Sequence, residues 1–226
     1  ASHYLTTFGR QETVLAAQDA PVRYTLGDGT TVWLNAGATL ECPAVFTGRE
    51  RTVGITGEAM FDVRHDEDHP FVVRTAACDV RVLGTKFNVR ADAAGSTFEA
   101  ALLRGRIEVV NRTTRERLVL AANESASLEN GALVRGRIAD ADDYLWTDGY
   151  INLKGHSFAE LLSTFRRAFN VRIDSEALPM PAGRYKWGKI RIADGIDNAL
   201  EVLQNSYPFD YTFDSEKRLV VIRPHK

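Results

Sequence analysis

Apolar and polar residues alternate over roughly the first two thirds of the chain, and one stretch shows the pattern most clearly. Val80 and Val82 alternate with polar neighbours, and so do Phe87 and Val89. A period of two is typical of a half-buried β-strand. The apolar residues change from even to odd positions across Gly84. We therefore predict a bulge or sharp bend at Gly84, where glycine is tolerated and a larger side chain is not.

The same alternation recurs in short segments separated by Gly, Pro, Asn and Asp, which is typical of an all-β architecture. A second change of parity occurs at Gly105. Strands that fold over at such corners predict a sandwich whose strands change sheet, or a solenoid-like winding. The predicted strands are 22–26, 30–34, 38–41, 51–56, 58–63, 70–74, 78–83, 86–91, 97–103, 106–110, 116–120, 124–128 and 132–135.

Helix periodicity replaces this alternation after Gly149. Ser157 and Glu160 have the spacing of a capping box at the start of an amphipathic helix. The pattern of this helix and its flanking strands returns about 38 residues later, which indicates an internal duplication. Asp194 is the expected N-cap of the second helix. The tail is therefore predicted to be a duplicated βαβ–βαββ unit, with two helices packed on small sheets.

These patterns predict a mainly β protein with an α+β tail. We interpret residues 1–21 as a tether or an ill-packed first element, residues 22–145 as the all-β domain and residues 146–226 as the tail domain. The chain opens without a methionine or a signal-type apolar region. We interpret it as an excised part of a longer protein, so any membrane anchor or export signal would precede Ala1.

Charge and hydropathy exclude two classes of partner. The chain has 28 Lys and Arg against 30 Asp and Glu, a formal net charge of -2, and the two signs are interspersed. Such a chain has no basic stripe for nucleic acid or anionic lipid. No apolar run approaches the roughly 18 residues that a transmembrane helix requires. We predict no nucleic-acid partner, and no membrane contact through this part of the chain.

The two cysteines, Cys42 and Cys78, lie on predicted strands and have neither zinc-site spacing nor a CxxC pattern. Free cysteine commonly behaves as a small core residue. We therefore favour two separately buried thiols, while a disulfide stays open for an exported protein.

The densest polar segment has His65 and His69 on either side of three acidic residues. Histidines four apart share a face only on a helix, and Pro70 disfavours a helix here. A solvated loop between strands is therefore favoured over a metal site. Motifs for a serine nucleophile, a zinc protease or a nucleotide phosphate are also lacking, so no cofactor is predicted.

Glycan chemistry stays open as an alternative. Glu41, Glu50, Glu58 and Glu99 lie on or near predicted strands, but nothing fixes a pair at the separation that glycoside cleavage requires. The tryptophans could stack on sugars, although aromatic residues beside strands more often pack. A carbohydrate- or small-ligand-binding β domain and a glycan-processing enzyme are therefore the two alternatives to a protein-binding module.

Protein binding fits the remaining features best. Small βαβ units leave strand edges exposed, and an edge can pair with a strand of a partner. The alternative is an edge guarded by Lys and Arg that has no partner. The predicted partner-binding residues are Trp146, Tyr185, Trp187, Lys189 and Arg218.

Five segments carry a family resemblance, and they occur in the family's order and spacing. They are 26–37 (LGDGTTVWLNAG), 57–63 (GEAMFDV), 69–73 (HPFVV), 82–89 (VLGTKFNV) and 103–109 (LRGRIEV). Together they resemble the signature motifs of FecR-type regulators. The duplicated tail is similar to the short secretin/TonB N-terminal (STN) domain that follows FecR domains, especially in Bacteroidetes relatives. The chain departs from the usual motifs at Gly27, Cys42 and Met60, positions that affect packing more than role.

The resemblance implies the periplasmic part of a single-pass inner-membrane anti-sigma factor. Its partner would be the periplasmic signalling domain of an outer-membrane TonB-dependent transporter. Substrate occupancy of the transporter would be relayed inward, and an extracytoplasmic-function sigma factor would be released. The sigma factor and the membrane would be contacted only by segments upstream of Ala1, so residues 1–21 would be a juxtamembrane tether. The resemblance implies no catalytic residue, metal or cofactor.

Overall fold

A computed structural model of the protein describes residues 12–225. The chain divides into two compact units. The first runs to Ala17 and continues over Val22–Ala141, and the second comprises Gln18–Pro21 and the chain from Asp142 onwards. We refer to them as the first unit and the tail unit.

Within the described residues, the first unit is built from thirteen strands that form one sheet. Their bounds are β1 (Glu12–Ala16), β2 (Val22–Thr25), β3 (Thr31–Leu34), β4 (Thr39–Pro43), β5 (Arg51–Asp62), β6 (Phe71–Arg74), β7 (Cys78–Val82), β8 (Lys86–Ala91), β9 (Phe98–Arg104), β10 (Arg106–Asn111), β11 (Arg117–Ala121), β12 (Glu124–Glu129) and β13 (Ala132–Arg137).

The sheet folds over at β5, which belongs to both of its halves. The first half of β5 pairs in parallel with β6 and antiparallel with β4. The second half pairs antiparallel with β3 and β8. One half of the sheet has the order β1-β4-β5-β6-β7-β10-β11, and the other has the order β2-β3-β5-β8-β9-β12-β13. The prediction of a sandwich whose strands change sheet is confirmed.

Two glycines lie where the chain passes from one half of the sheet to the other. Gly84 connects β7 to β8, and a Cβ there would lie 2.6 Å from the Cα of His65. Gly105 connects β9 to β10 with a φ of +100°, and a Cβ there would lie 2.9 Å from Oγ1 of Thr85. Both positions therefore exclude a larger side chain, which confirms the corners predicted from the change of parity.

The inward-facing apolar residues of both halves form one hydrophobic core. Phe61 lies at its centre, and its ring stacks on Phe87 at 5.3 Å and tilts against Phe71 at 6.1 Å. All three phenylalanines are fully buried. The alternation in β8 places Asn88 on the face opposite Phe87, where solvent exposure is expected, but Asn88 is only 3% exposed and donates to Glu58 at 3.0 Å. The expected exposure is wrong at Asn88, while its two neighbours on that face stay partly exposed.

A buried arginine joins several loops of the first unit. Arg51 is 4% exposed, and its Nη1 lies 2.8 Å from Oδ2 of Asp28. Its guanidinium also donates to the carbonyls of His69 at 2.7 Å and Arg64 at 2.9 Å. Asp28 in turn accepts from the amide and the hydroxyl of Thr30. The Asp-Gly-Thr motif therefore serves a structural role, since it supplies the carboxylate that keeps a buried charge paired.

Two sequence-based assignments are corrected here. Residues 1–21 were interpreted as a tether, but Glu12–Ala16 forms a strand that pairs antiparallel with β4. Residues 1–11 lie outside the described part of the chain. Strands predicted at 51–56 and 58–63 are one continuous strand, because the chain turns at Gly57 without leaving the sheet.

The tail unit has the predicted order βαβ–βαββ, preceded by a 3₁₀ helix over Ala141–Asp148. The bounds of its elements are β14 (Tyr150–Asn152), α1 (Phe158–Ala168), β15 (Arg172–Asp174), β16 (Lys189–Arg191), α2 (Gly195–Gln204), β17 (Phe209–Asp214) and β18 (Leu219–Pro224). Strands β14 and β16 form an antiparallel pair. Strand β18 pairs in parallel with β15 and antiparallel with β17.

The two helices begin differently. Ser157 and Glu160 form the predicted capping box, with the Ser157 amide donating to Glu160 at 2.7 Å and the Glu160 amide to Ser157 at 3.3 Å. The Ser157 amide, followed by Arg184, lowers the pKa of Glu160. The predicted N-cap Asp194 makes no side-chain capping bond. Its carboxylate instead accepts from Arg191 at 2.8 Å, because a 3₁₀ turn precedes α2.

Candidate partner-binding surface

A groove of about 610 Å³ lies in the tail unit between the segment 181–189, the start of α1 and the end of α2. We call it the tail groove. Its lining residues are Leu153, Phe158, Pro181, Ala182, Gly183, Arg184, Tyr185, Lys186, Trp187, Gly188, Lys189, Val202, Asn205, Ser206 and Tyr207.

Both helices contribute the apolar side of the tail groove. Phe158 is the first residue of α1, and Val202 lies in the last turn of α2. Tyr207 follows α2 and packs edge-to-face on Phe158 with ring centroids 6.0 Å apart. Its hydroxyl donates to the carbonyl of Pro179 at 3.4 Å. The internal duplication therefore brings the start of one helix and the end of the other into one concave surface.

Backbone hydrogen bonds hold the opposite wall, residues 184–188, in place. The amide of Leu153 donates to the carbonyl of Gly188 at 2.9 Å, and the amide of Gly155 to that of Tyr185 at 2.8 Å. The amide of Tyr185 donates to the carbonyl of His156 at 2.9 Å. Gly188 has a φ of +124°, and a Cβ there would approach Leu153 at 3.0 Å. Lys186 and Trp187 thus lie between two fixed points of the backbone.

Trp187 is the most exposed large apolar side chain of the described residues, at 82%. Neighbouring Tyr185 is half-buried. Burial raises the pKa of Tyr185. A mostly exposed indole beside a concave apolar surface is unusual for a monomeric domain, and such patches commonly mark interaction sites.

The charged side chains that line the tail groove are all basic. Its lining contains Arg184, Lys186 and Lys189 but no Asp or Glu. Arg184 pairs with Glu160 at 2.8 Å, and Lys189 pairs with Asp142 at 2.9 Å. Lys186 is exposed and forms no ion pair within residues 12–225. It is therefore the lining cation whose charge is available to a ligand.

The structure brings three of the five predicted partner-binding residues together. Tyr185, Trp187 and Lys189 all line the tail groove. Trp146 is 5% exposed, so it is not available as an exposed anchor. Arg218 is occupied elsewhere, since its Nε and Nη2 donate at 2.6 Å to carbonyls at the end of α1. The structure therefore does not place these two residues with the other three: the Trp146 side chain packs in the interior, and the Arg218 side chain satisfies carbonyls that the helix end leaves unpaired.

The apolar side of the groove could not be recognised from the sequence. The helix period is compatible with burial of Phe158 and Tyr207, and it does not indicate that they line a groove. Helix periodicity distinguishes the buried face of a helix from its solvated face. It does not show where the buried faces of two helices leave a groove between them. The only signal was the duplication itself, which places the start of α1 and the end of α2 in equivalent units.

Comparison with known families assigns both parts of the chain. Residues 12–108 match the family model for FecR protein, and residues 150–222 match that for FecR, C-terminal. Together the two matches cover about three quarters of the chain. The chain belongs to the FecR family. We therefore call its first unit the FecR unit; the likeness of the tail unit to an STN domain stays a prediction.

Solved structures agree with the assignment over a longer stretch. Two crystal structures of a proposed anti-sigma factor from Parabacteroides distasonis ATCC 8503, at 2.50 and 1.65 Å resolution, superpose on the chain with a TM-score of 0.76. Each is 26% identical to it, and each alignment covers 95% of this chain and 100% of the other. Among curated proteins, none matches the chain.

The His65–His69 run of the FecR unit is a loop, as predicted. His69 contacts Asp66 at 3.1 Å, and His65 lies 3.4 Å from Glu67. These contacts keep the two imidazoles on separate carboxylates. Between residues 12 and 225, no three or more His, Cys, Asp or Glu side chains come together in a way that could hold a metal ion.

Three of the four carboxylates considered for glycan cleavage have local partners in the FecR unit. Glu50 pairs with Arg81 at 2.5 Å, and Glu99 pairs with Arg90 at 2.7 Å. Glu58 accepts hydrogen bonds from two asparagine side chains at 3.0 Å. The arrangement accounts for these residues as parts of the β-sheet surface.

Both cysteines of the FecR unit are buried free thiols, as favoured from the sequence. Burial raises the pKa of Cys42. Burial, with Asp79 and Glu116 nearby, raises the pKa of Cys78 to about 12. The thiolate form that would react is therefore suppressed at neutral pH. Among the helices of residues 12–225, none has the length and apolarity that crossing a bilayer would require.

Proposed function

We propose that this chain is the periplasmic signal-relay region of a FecR-type anti-sigma factor. In this role it binds the periplasmic signalling domain of an outer-membrane TonB-dependent transporter. The likeness to a proposed anti-sigma factor over 95% of the chain, together with the two FecR matches, carries the proposal. Binding of the signalling domain changes the regulator, and an extracytoplasmic-function sigma factor is released.

The tail groove is the proposed contact. It combines an apolar side, an exposed indole on a fixed backbone and cations without lining carboxylates. Aromatic residues and Arg are enriched among residues that dominate interface energy. Because hydrogen bonds of Tyr185 and Gly188 fix the backbone on both sides of Trp187, binding would cost little backbone entropy.

Isothermal titration calorimetry tests the proposal. The purified chain is titrated with the signalling domain of the TonB-dependent transporter encoded beside it. We expect a one-to-one complex at micromolar concentrations. No association at tens of micromolar would contradict the relay function.

The same experiment separates the carbohydrate alternative, which is favoured by one observation: Tyr185 and Trp187 line a common groove. Titration with neutral oligosaccharides replaces the signalling domain. Saturable, Trp187-dependent binding of a sugar without any binding of the signalling domain would favour the sugar-binding reading instead.

A further inference from the structure

The chemistry of the tail groove indicates what kind of segment it accepts. We infer that its ligand is an extended peptide segment of the partner that places a bulky apolar side chain in the groove and an adjacent carboxylate at Lys186. This inference rests on the proposed function, because it names the part of the partner that would be recognised.

The apolar side chain is required by the shape and composition of the groove. Phe158 is fully buried beneath the surface, and the half-buried ring of Tyr207 packs on it. Trp187, on the opposite wall, keeps 82% of its surface exposed. An aromatic or branched aliphatic side chain inserted between these walls would cover the indole and remove apolar surface from water.

The carboxylate is required by the charge balance. The net charge of the whole chain is -2, yet the lining of the tail groove has three basic residues and no acidic one. Glu160 and Asp142 already pair with two of them, Arg184 and Lys189. Lys186 remains, and an acidic group beside the apolar anchor would complement it. A basic segment would meet the positive charge of Lys186, which is unpaired within residues 12–225, at close range.

The extended form of the partner's peptide segment is inferred from the groove wall formed by residues 184–188. Residues 184–188 run alongside 153–157 and continue into β16. In the described chain, β16 pairs only with β14, so its other edge has no strand neighbour. An extended peptide can follow such an edge and direct alternate side chains into a pocket.

Charge reversal at Lys186 tests the inference against the whole signalling domain. We expect Lys186→Glu to weaken binding roughly tenfold, because attraction becomes repulsion at the rim of the interface. Lys217→Glu, in the turn between β17 and β18, makes the same change of charge outside the groove and should stay within about twofold. Raising the salt concentration from 50 to 500 mM should reduce the difference between wild type and Lys186→Glu in affinity for the signalling domain, because salt screens the charges.

A displayed library of random twelve-residue peptides provides a second readout that does not need the signalling domain. Peptides selected on the wild-type chain should carry Asp or Glu next to an aromatic or branched aliphatic residue. They should lose binding to both Trp187→Ala and Lys186→Glu. A selection dominated by basic peptides would overturn the inference. So would selected peptides that bind Trp187→Ala and Lys186→Glu as well as they bind wild type.

The outcomes separate the inference from the function on which it rests. If the signalling domain binds wild type and Lys186→Glu equally, the acidic segment is refuted while the relay function stands. If the signalling domain does not bind but the selected acidic peptides depend on Lys186 and Trp187, the relay function fails and the ligand class stands.

Discussion

The two units use their most distinctive residues in opposite ways. In the FecR unit, the motifs that carry the family resemblance lie at buried or tightly packed positions: Gly84 lies at a corner, Asp28 pairs with Arg51, and Phe87 lies in the core. In the tail unit, the distinctive side chain is Trp187, which is exposed and outside those motifs. A recognisable signature thus marks what the fold requires, and the surface that meets a partner can lie elsewhere.

The largest effect on stability is expected from Phe87→Ala. Phe87 is fully buried and stacks on Phe61 at 5.3 Å, so truncation removes buried apolar area and leaves a cavity. We expect a loss of about 3–5 kcal/mol, measured by urea denaturation. Any loss of partner binding should disappear once the folded fraction is taken into account. Reduced affinity of the fully folded variant would show that the core and the binding surface are not separate.

A smaller loss is expected from Gly84→Ala. The added methyl would lie 2.6 Å from both the Cα and the Nδ1 of His65, and the backbone atom cannot move without the loop. Overpacking of this kind costs about 1–3 kcal/mol. Gly48→Ala is the matched control, because the nearest atom to its Cβ would be 3.5 Å away. Equal melting temperatures of the two variants would remove the close approach as the reason for the glycine.

A still smaller, pH-dependent effect is expected at the start of α1. The Ser157 amide and Arg184 lower the pKa of Glu160 in the folded chain. A depressed pKa adds stability above the ordinary pKa of about 4.3, and this stability is lost as the pH falls through the folded value. Glu160→Gln should therefore lower stability by no more than about 1 kcal/mol at pH 7. Once the pH has fallen below the lowered pKa of Glu160, the two melting temperatures should converge; a constant difference would contradict the assignment.

The sequence predicted the features that follow from local patterns. Parity changes located the corners at Gly84 and Gly105, and the Ser157–Glu160 spacing located α1. These signals work because side-chain direction alternates in a strand and because a capping box has a fixed spacing. Both depend only on residues that are close together in the chain.

The remaining features depend on contacts between distant residues. Nothing near Arg51 in the sequence shows that its guanidinium meets Asp28 and two carbonyls of the loop between β5 and β6. The burial of Trp146 and the commitment of Arg218 to the end of α1 are likewise tertiary effects. Tyr185, Trp187 and Lys189 were predicted because they lie in one short segment expected to form an exposed strand edge. The apolar side of their groove comes from helices that the chain reaches before and after them.

The central claim is that binding belongs to an exposed residue which the fold does not need. The most direct test measures the melting temperature of Trp187→Ala and its affinity for the transporter signalling domain, beside Tyr150→Ala, an exposed aromatic residue of the tail unit outside the groove lining. We predict an unchanged melting temperature for Trp187→Ala and an affinity roughly thirtyfold lower, as for an interface hot spot of about 2 kcal/mol. Tyr150→Ala should bind like wild type. Undiminished affinity of Trp187→Ala, or an equal loss in both variants, would contradict the claim.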